Sequence, residues 1–333
     1  MKKKLLKIII IILILSISSF LFLLYGPYKG FREFLITSSM TTKSHQYIAK
    51  FFYSDNTIEK VMAKHKVIEP KNNTNKDLID LKGDNITFED EYDEQILIKD
   101  TEHELYKVIE VSGKRYQGYL VAIYDPSRVK IATTRYLGKR GEAITTVARN
   151  NNAIIAMNAG GFYDPDWNSN GALPHGIVIK DGKVVSRYDK ANVGGGLVGF
   201  DKDNKLILGK YSEQEALNMG IRDAIEFGPF LIVNGESAFV RGNGGWGIAP
   251  RTAIGQRKDG IVLFLVINGR IPSSLGADMG DLVEIMENYK AVNAANMDGG
   301  SSSELVINNE IINKPVAGGD HGLRDMPTFW IVQ

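Results

Sequence analysis

The chain has 333 residues, of which 44% are hydrophobic and 24% are charged, so it can fold around a sizeable buried core. Forty basic residues oppose 39 acidic ones, and the formal charge of +1 argues against a nucleic-acid-binding protein. The sequence contains no cysteine, which excludes disulfides, thiolate metal sites and a cysteine nucleophile. No segment has the spacing of a calcium loop or a zinc site, so we expect no metal and no cofactor.

The N-terminus predicts a membrane anchor. The run from Ile8 to Leu24 is apolar apart from three serines, and it follows four lysines, Lys2, Lys3, Lys4 and Lys7. At about 1.5 Å per residue, this run and its flanks approach the thickness of a bilayer's hydrocarbon core. Because cationic flanks stay in the cytoplasm, we expect a single-pass protein of the cell membrane with a cytoplasmic N-terminus. It contacts the lipid bilayer through residues 8–24, and the rest of the chain is extracellular. A cleaved signal peptide is the alternative, disfavoured by the length of the apolar run and by the lack of a small-residue cleavage site.

Changes in composition predict three regions. Residues 1–28 form the cytoplasmic tail and transmembrane anchor, residues 29–103 a polar membrane-proximal stalk, and residues 104–333 the main domain. In the stalk, apolar residues recur at near-helical spacing from Tyr47 to His65. The acidic stretch from Glu89 to Glu94 is typical of a solvated connection.

After Glu104, short β-branched and aromatic runs separated by turns predict strands. The predicted strands include 106–111, 119–124, 129–134, 153–157, 176–179, 206–208, 229–233, 261–268, 291–297 and 328–332. Helical spacing is found from Glu142 to Asn150 and from Asp278 to Tyr289. Because strands and helices do not alternate regularly, we predict an α+β fold, a mixed and mainly antiparallel sheet with packed helices, preceded by the transmembrane helix and a partly helical stalk.

Three segments place a polar side chain beside small residues at the end of an apolar strand. They begin Met-Asn-Ala-Gly-Gly at 157, Ala-Pro-Arg-Thr at 249 and Asn-Met-Asp-Gly-Gly at 296. Loops at the ends of rigid elements commonly carry function, which makes Asn158, Arg251 and Asp298 candidate functional residues. Taken singly, a loop cap, a surface ion pair and a turn explain the same three residues.

In their order along the chain, these segments resemble the phosphodiester glycosidase family. Further matching segments are Gly228-Pro229-Phe230 with Asn234-Gly235, Asp259-Gly260, Asn268-Gly269-Arg270, and Arg324 to Pro327 before the last strand. The resemblance extends from about Tyr106 to the C-terminus. Ser301 stands where the family often has a third glycine.

The resemblance implies a hydrolase that cleaves the bond between a sugar anomeric carbon and a phosphodiester. Together with the predicted anchor, it leads us to expect an extracytoplasmic enzyme of cell-envelope or exopolysaccharide metabolism. Such a reaction requires a carboxylate facing the anomeric carbon and a cation on the phosphate. We assign the first role to Asp298, as nucleophile or as base for water, and the second to Arg251, with Arg324 as a further candidate.

A second carboxyl is expected near Asp298, because retaining and inverting glycosidases both use a pair. We prefer Asp278, although its position at the start of a predicted helix is explained equally well by an N-cap. The alternatives are Asp164, Glu226 and Glu304. The residues predicted to bind substrate are Asn158, Gly160, Gly161, His175, Thr252, Gly299, Gly300, Ser301, Ser303 and Arg324.

A non-catalytic module that holds a glycan phosphate during envelope assembly is the alternative function. It would use Arg251 and the glycine turns, but it would have no need of an acid at Asp298. The stretch from Gly242 to Gly247 lacks the context of a dinucleotide site, and we predict a flap that carries Trp246 as a sugar-stacking platform. His321 is a further candidate donor to the ligand.

Overall fold

The computed structural model describes residues 2–42, 45–81, 88–100, 103–164, 169–188, 195–316 and 322–333. The chain divides into two compact units. The first, called here the anchor unit, contains Met1–Lys66 and Arg241–Gly247, and the second, the strand unit, contains Val67–Val240 and Ile248–Gln333. Residues 67–100, which fall in the predicted stalk, therefore cluster with the strand unit.

The α-helices of the described residues lie mainly in the N-terminal third of the chain. They are α1 (Lys2–Tyr25), α2 (Lys29–Met40), α3 (Gln46–Phe52), α4 (Asp55–Met62), α5 (Glu91–Leu97), α6 (Ile144–Asn150), α7 (Glu213–Asn218) and α8 (Met279–Asn288). Helix α1 is long and apolar enough to cross a membrane, by length and composition.

The strand unit is built mainly from strands. In chain order the strands are β1 (Lys66–Ile68), β2 (Tyr106–Ser112), β3 (Gln117–Ile123), β4 (Val129–Thr133), β5 (Ile155–Asn158), β6 (Gly176–Lys180), β7 (Lys183–Tyr188), β8 (Gly196–Asp201), β9 (Leu206–Gly209), β10 (Ile221–Phe227), β11 (Phe230–Val233), β12 (Glu236–Ser237), β13 (Phe239–Arg241), β14 (Arg251–Arg257), β15 (Val262–Ile267), β16 (Ala291–Asn296), β17 (Leu305–Ile307), β18 (Glu310–Ile311) and β19 (Thr328–Val332).

These strands form three larger sheets with the orders β7-β6-β10-β8-β9, β12-β11-β16-β14-β15-β3-β2 and β18-β17-β5-β19-β4. Neighbouring strands within them are antiparallel. One apolar core contains side chains from all three sheets, among them Phe264, Phe200 and Trp330. The predicted α+β class with mainly antiparallel sheet is confirmed.

The central strand β15 shows why the apolar pattern forms this sheet. Its six residues, Val262–Ile267, are all buried, and a continuous apolar run of this length suits a strand covered on both faces. Phe264 lies opposite Ile254 of β14 and Val121 of β3. Strand β14, which pairs with β15, begins at the predicted site residue Arg251, and β16, on the other side of β14, ends two residues before Asp298.

In the anchor unit, helices α2, α3 and α4 pack around the end of α1. Leu24 is fully buried there with Ile36, Ala49 and Ile58. The hydroxyl of Tyr53 donates to the carbonyl oxygen of Leu24 at 3.1 Å, which joins the segment after α3 to the last turn of α1. The helical pattern predicted from Tyr47 to His65 is confirmed as two helices, α3 and α4, because Tyr53 and Ser54 adopt extended backbone between them.

The prediction of a solvated connection from Glu89 to Glu94 is wrong for the central part of that stretch. Residues Glu91–Leu97 form helix α5, capped by the side chain of Asp90. Asp93 is only 2% exposed and accepts from Arg257 Nη2 at 3.0 Å, while Arg257 also contacts Asp259. Lys290 pairs with the same aspartate. Because Lys290 also pairs with Glu89 and Asp90, three of the acidic side chains belong to a network that fixes α5 to the strand unit, whereas Glu91 and Glu94 are exposed.

Candidate active site

Asn158 lies at the centre of the predicted site. It ends strand β5, is 1% exposed, and donates from Nδ2 to the carbonyl oxygen of Asp298 at 2.6 Å. Its Oδ1 accepts from the Thr252 hydroxyl at 2.8 Å and from the Glu304 backbone N–H at 3.1 Å. One buried amide thus ties β5, β14 and the segment after Asp298 together. Three segments that are far apart in sequence are held in one place by it.

The turn after β16 presents the carboxylate of Asp298. The Asp298 N–H donates to the carbonyl oxygen of Ala159 at 3.0 Å, and Gly299 N–H donates to Asp298 Oδ1 at 3.1 Å. Gly300 N–H reaches the carbonyl oxygen of Pro250 at 2.9 Å. Gly300 has φ of +68°, a conformation that favours glycine. These bonds fix the turn against both other segments of the site, and Asp298 stays partly exposed.

Two guanidinium groups border this turn. A β-carbon built on Gly299 would lie 3.5 Å from Arg251 Nη1, and one built on Gly300 would lie 3.4 Å from Arg270 Nη2. Both guanidinium groups therefore lie within van der Waals reach of the turn. Arg251 is 4% exposed, and its Nε donates to the carbonyl oxygen of Ala277 at 3.1 Å.

The electrostatic state of these arginines indicates an anion site. Burial, followed by the like charge of Arg270, lowers the pKa of Arg251 to about 10, while Asp278, Asp298 and Asp281 act in the opposite direction. Burial also lowers the pKa of Arg270. Among the described residues the Arg270 side chain has neither an ion pair nor a hydrogen bond. Two neighbouring guanidinium groups that both stay charged at neutral pH are suited to the oxygens of a phosphate.

The contacts of Asp278 indicate a structural role. It is the N-cap of α8 and forms a capping box with Asp281, whose N–H donates to Asp278 Oδ1 at 3.1 Å. Its Oδ2 accepts from Arg115 Nη2 at 2.5 Å, and the same nitrogen contacts Asp281. Both carboxylate oxygens are thus used within the protein, which favours the N-cap explanation over the catalytic one.

We expect Asp278→Asn to change kcat by less than about fivefold, because an asparagine keeps the N-cap. Losing the ion pair with Arg115 should lower the unfolding free energy by about 1 kcal/mol. Steady-state kinetics and urea unfolding of the same preparation measure the two effects. Asp281→Asn, in the same capping box, serves as the matched control. A hundredfold loss of kcat in Asp278→Asn alone would restore this residue as the second carboxyl.

The other candidate carboxyls differ in their contacts. Asp164 accepts from Arg324 Nη2 at 2.6 Å, and Glu226 Oε2 accepts from the Ile177 N–H at 2.9 Å. Glu304 is fully buried, and its Oε1 accepts from the Arg324 N–H at 2.7 Å. No described residue bonds to its Oε2. Burial raises the pKa of Glu304 to about 8, so this carboxyl holds a proton at neutral pH.

Aromatic rings lie on the side of the site formed by Gly160 and Gly161. The His175 N–H donates to the carbonyl oxygen of Gly161 at 2.9 Å, and a β-carbon on Gly161 would lie 3.4 Å from His175 Cδ2. The His175 ring stacks on Tyr188 with 6.5 Å between centroids, and Tyr163 lies 5.2 Å from Tyr188. Tyr163 is 38% exposed, so part of this aromatic group faces solvent.

The remaining predicted residues occupy different positions. Thr252 is joined to Asn158 as described, whereas Arg324 pairs with Asp164 and lies over the ring of Phe162 at 5.2 Å. Ser301 is partly exposed in the glycine turn, and Ser303 is buried. Buried side-chain oxygens with no protein partner among the described residues include those of Asn296, Ser303 and Thr328. Such atoms commonly bind ordered water or a ligand.

Arg270 was predicted only as part of its motif, and Arg115, Tyr163 and Tyr188 were not predicted as functional residues. The Asn-Gly-Arg motif was a usable signal for Arg270, because it places a charged residue three positions after the apolar strand β15. Trp246 belongs to the anchor unit, so its predicted stacking role stays a prediction. His321 lies outside the described residues.

A model of the phosphodiester glycosidase family matches residues 151–333, more than half of the chain. The chain belongs to the phosphodiester glycosidase family. All segments predicted for the site from Asn158 onward lie within this match, and the family that the sequence resembles is confirmed.

Two proteins illustrate the similarity of this chain to known sequences. The chain is 29% identical over 216 residues to the SPbeta prophage-derived uncharacterized protein YomE of Bacillus subtilis, covering 62% of this chain and 32% of that protein. It is 26% identical over 198 residues to the N-acetylglucosamine-1-phosphodiester alpha-N-acetylglucosaminidase of Bos taurus, covering 53% of this chain and 35% of that enzyme. The chain thus spans about a third of the length of these relatives.

One solved structure has a fold similar to that of this chain. It is the catalytic domain of the zebrafish N-acetylglucosamine-1-phosphodiester alpha-N-acetylglucosaminidase, auto-inhibited by its pro-peptide. The TM-score is 0.56 at 20% identity, over 71% of this chain and 85% of that chain. At this identity the likeness concerns the fold alone.

Proposed function

We propose that this phosphodiester glycosidase family member is a hydrolase that cleaves the bond between the anomeric carbon of a sugar and a phosphodiester oxygen. It works at the outer face of the cell membrane, in cell-envelope or exopolysaccharide metabolism. The observation that supports this proposal best is the glycine turn at Asp298, which is bordered by the guanidinium groups of Arg251 and Arg270, and whose aspartate acts electrostatically on Arg251.

The two cations provide the phosphate end of the site. Arg251 and Arg270 bind the non-bridging oxygens of the phosphodiester, and binding relieves the repulsion between the two guanidinium groups. As the bond from the anomeric carbon to the bridging oxygen breaks, its electrons pass to the phosphate. The same cations then stabilise the added negative charge.

Asp298 provides the carboxylate at the anomeric carbon. It acts on the oxocarbenium-like carbon as nucleophile or as base for the attacking water. Water supplies a hydroxyl to the sugar, its proton passes to the carboxylate or to solvent, and the phosphate leaves as a monoester. The hydrogen bonds of the Asp298 backbone to Asn158 and Ala159 keep the carboxylate in position.

Glu304 is our proposed second carboxyl in place of Asp278. Its Oε2 has no partner among the described residues, and burial keeps the group protonated at neutral pH by raising its pKa to about 8. A proton donor requires this state. Its backbone N–H is bonded to Asn158, which brings the residue next to the segment that holds Asp298.

The sugar is assigned to the side of Gly160 and Gly161. Tyr163, Tyr188 and His175 form an aromatic group there, and apolar sugar faces stack on such rings. A substrate bound with its sugar on this side and its phosphate at Arg251 would place the scissile bond near Asp298, which contacts both sides.

The proposed location follows from α1, which is long and apolar enough to span a membrane, and from the lysines before it. Envelope polymers and exopolysaccharides are the sugar phosphodiesters that we propose as substrates of the enzyme there.

The test is hydrolysis of a synthetic N-acetylglucosamine-1-phosphodiester by the full-length protein in detergent, carried out in water enriched in oxygen-18. We expect a reducing sugar and a phosphomonoester, with the label in the sugar, because the anomeric carbon–oxygen bond breaks. The full chain is preferred to a fragment that begins near Asp100, since such a fragment would remove Asp93 from the buried guanidinium of Arg257.

Two outcomes would contradict the proposal. Label in the phosphate would show that the phosphorus–oxygen bond breaks, which is phosphodiesterase chemistry. A panel of sugar-1-phosphodiesters that all bind, by calorimetry, but are not cleaved would favour the non-catalytic glycan-phosphate-binding module instead.

A further inference from the structure

Helix α3 of the anchor unit has two strongly exposed aromatic side chains. Phe51 is 80% exposed, more than any other large hydrophobic residue in the described part of the chain, and Tyr47 is 66% exposed. The two residues are four positions apart on a helix and therefore lie on the same face. Lys50 beside them is also exposed. Contiguous exposed apolar groups of this kind mark contact sites for membranes or other proteins.

The end of this helix is fixed to the last turns of α1. Phe52 packs edge-to-face on Phe20, with 5.8 Å between ring centroids. The Tyr25 hydroxyl donates to the carbonyl oxygen of Phe52 at 3.1 Å. Phe51 and Phe52 are also in edge-to-face contact at 5.0 Å. The exposed face of α3 consequently lies beside residues 20–25 of α1.

The depth of this face follows from the length of α1. A hydrocarbon core of about 30 Å takes about 20 helical residues, which from Lys7 reaches just past Tyr25. Phe20 lies five residues before Tyr25, or about 8 Å deeper along the helix axis. A part of α3 that packs on Phe20 and Tyr25 is therefore level with the outer boundary of the hydrocarbon core.

We propose that α3 is an interfacial helix, and that Tyr47 and Phe51 insert into the headgroup region of the outer leaflet that surrounds α1. Aromatic side chains are favoured at this depth, and the adjacent ammonium of Lys50 can reach lipid phosphates. The inference rests on the proposed membrane anchoring by α1 and is independent of the chemistry at Asp298. It gives the lipid surface a second contact with the protein, beyond the span itself.

The absence of native cysteine makes the test direct. Phe51→Cys and, separately, Tyr47→Cys are labelled with the environment-sensitive fluorophore NBD, and each full-length protein is reconstituted into phosphatidylcholine–phosphatidylglycerol vesicles. We expect blue-shifted emission, quenching by lipids with a doxyl group near the headgroup, and protection from aqueous iodide. Both side chains are exposed, so the substitutions remove no core packing. Lys183→Cys, at the exposed start of β7, is the control and should be quenched by iodide alone.

Flotation of the vesicles separates this inference from the one on which it rests. If the protein fails to float, α1 does not anchor it, and both are overturned. If it floats and the labels at 47 and 51 respond to iodide as the label at 183 does, α3 is in water and the interfacial inference alone fails. Protection from iodide without quenching by doxyl lipid would show that protein covers this face, which also overturns it.

Discussion

Replacing Asp298 with asparagine is expected to reduce kcat at least a hundredfold on a sugar-1-phosphodiester. The amide has nearly the same shape and can still accept the hydrogen bond from the Gly299 N–H, but it cannot attack the anomeric carbon or take a proton from water. The turn is held by backbone groups of Asp298 and Gly300, so the fold should be unchanged. Steady-state kinetics and circular dichroism of the purified variant measure the two effects.

The Michaelis constant distinguishes this role from a structural one. Asp298 raises the pKa of Arg251, which means that its negative charge acts on the guanidinium. Its removal leaves the site more positive, so KM for an anionic substrate should stay constant or fall while kcat collapses. Asp203→Asn, at an exposed turn, is the matched control and should match the parent. A loss below threefold in Asp298→Asn would remove this residue from the reaction.

Glu304→Gln is expected to change how stability depends on pH. In the parent, burial raises the pKa of Glu304 from 4.5 to about 8, so the folded state keeps a proton that the unfolded chain releases. The unfolding free energy should therefore fall as pH rises from about 4.5 to about 8, by roughly 4 kcal/mol in total. Glutamine has no proton to release, and the variant should show no such decline.

Urea unfolding of the parent and of Glu304→Gln at several pH values between about 5 and about 8 checks this result. Linkage predicts that the unfolding free energies of the two proteins diverge as the pH changes. Glu310→Gln, at an exposed position in β18, is the control and should follow the parent. Parallel curves for the parent and Glu304→Gln would contradict a proton held in the folded state. The same variant should lower kcat by about tenfold to a hundredfold, at the low end of acid catalysis, because phosphate leaves readily.

The elements that the sequence predicted well are those whose signal is local. The apolar run of β15 and the stripe of Leu282, Ile285 and Met286 on α8 depend on neighbouring residues alone, and both elements are found within a residue or two of the prediction. The family could be predicted because its motifs are short and keep their order. The order of the strands in the sheets could not be predicted, because β11 pairs with β16, and β3 with β15, across large separations in sequence.

Individual residues of the site could be predicted from the sequence, whereas the residues that contact them were harder to predict. Asn158, Arg251 and Asp298 were selected because each is a polar residue beside small ones, and the structure brings them together through Thr252 and the glycine turn. Asp278 carries the same local signal for a cap and for catalysis, and only the contact with Arg115 favours the cap. Arg115 itself is more than 160 positions away, a separation at which no local pattern is informative.

The pair of guanidinium groups also affects what happens after the bond breaks. Under the proposed reaction, the diester that enters carries one negative charge, whereas the phosphomonoester that remains acquires a second. Arg251 and Arg270 attract a dianion more strongly than a monoanion, and the low exposure of Arg251 limits screening by salt. The product therefore competes with fresh substrate for the cations. If the proposed reaction is right, we expect added phosphomonoester to inhibit turnover.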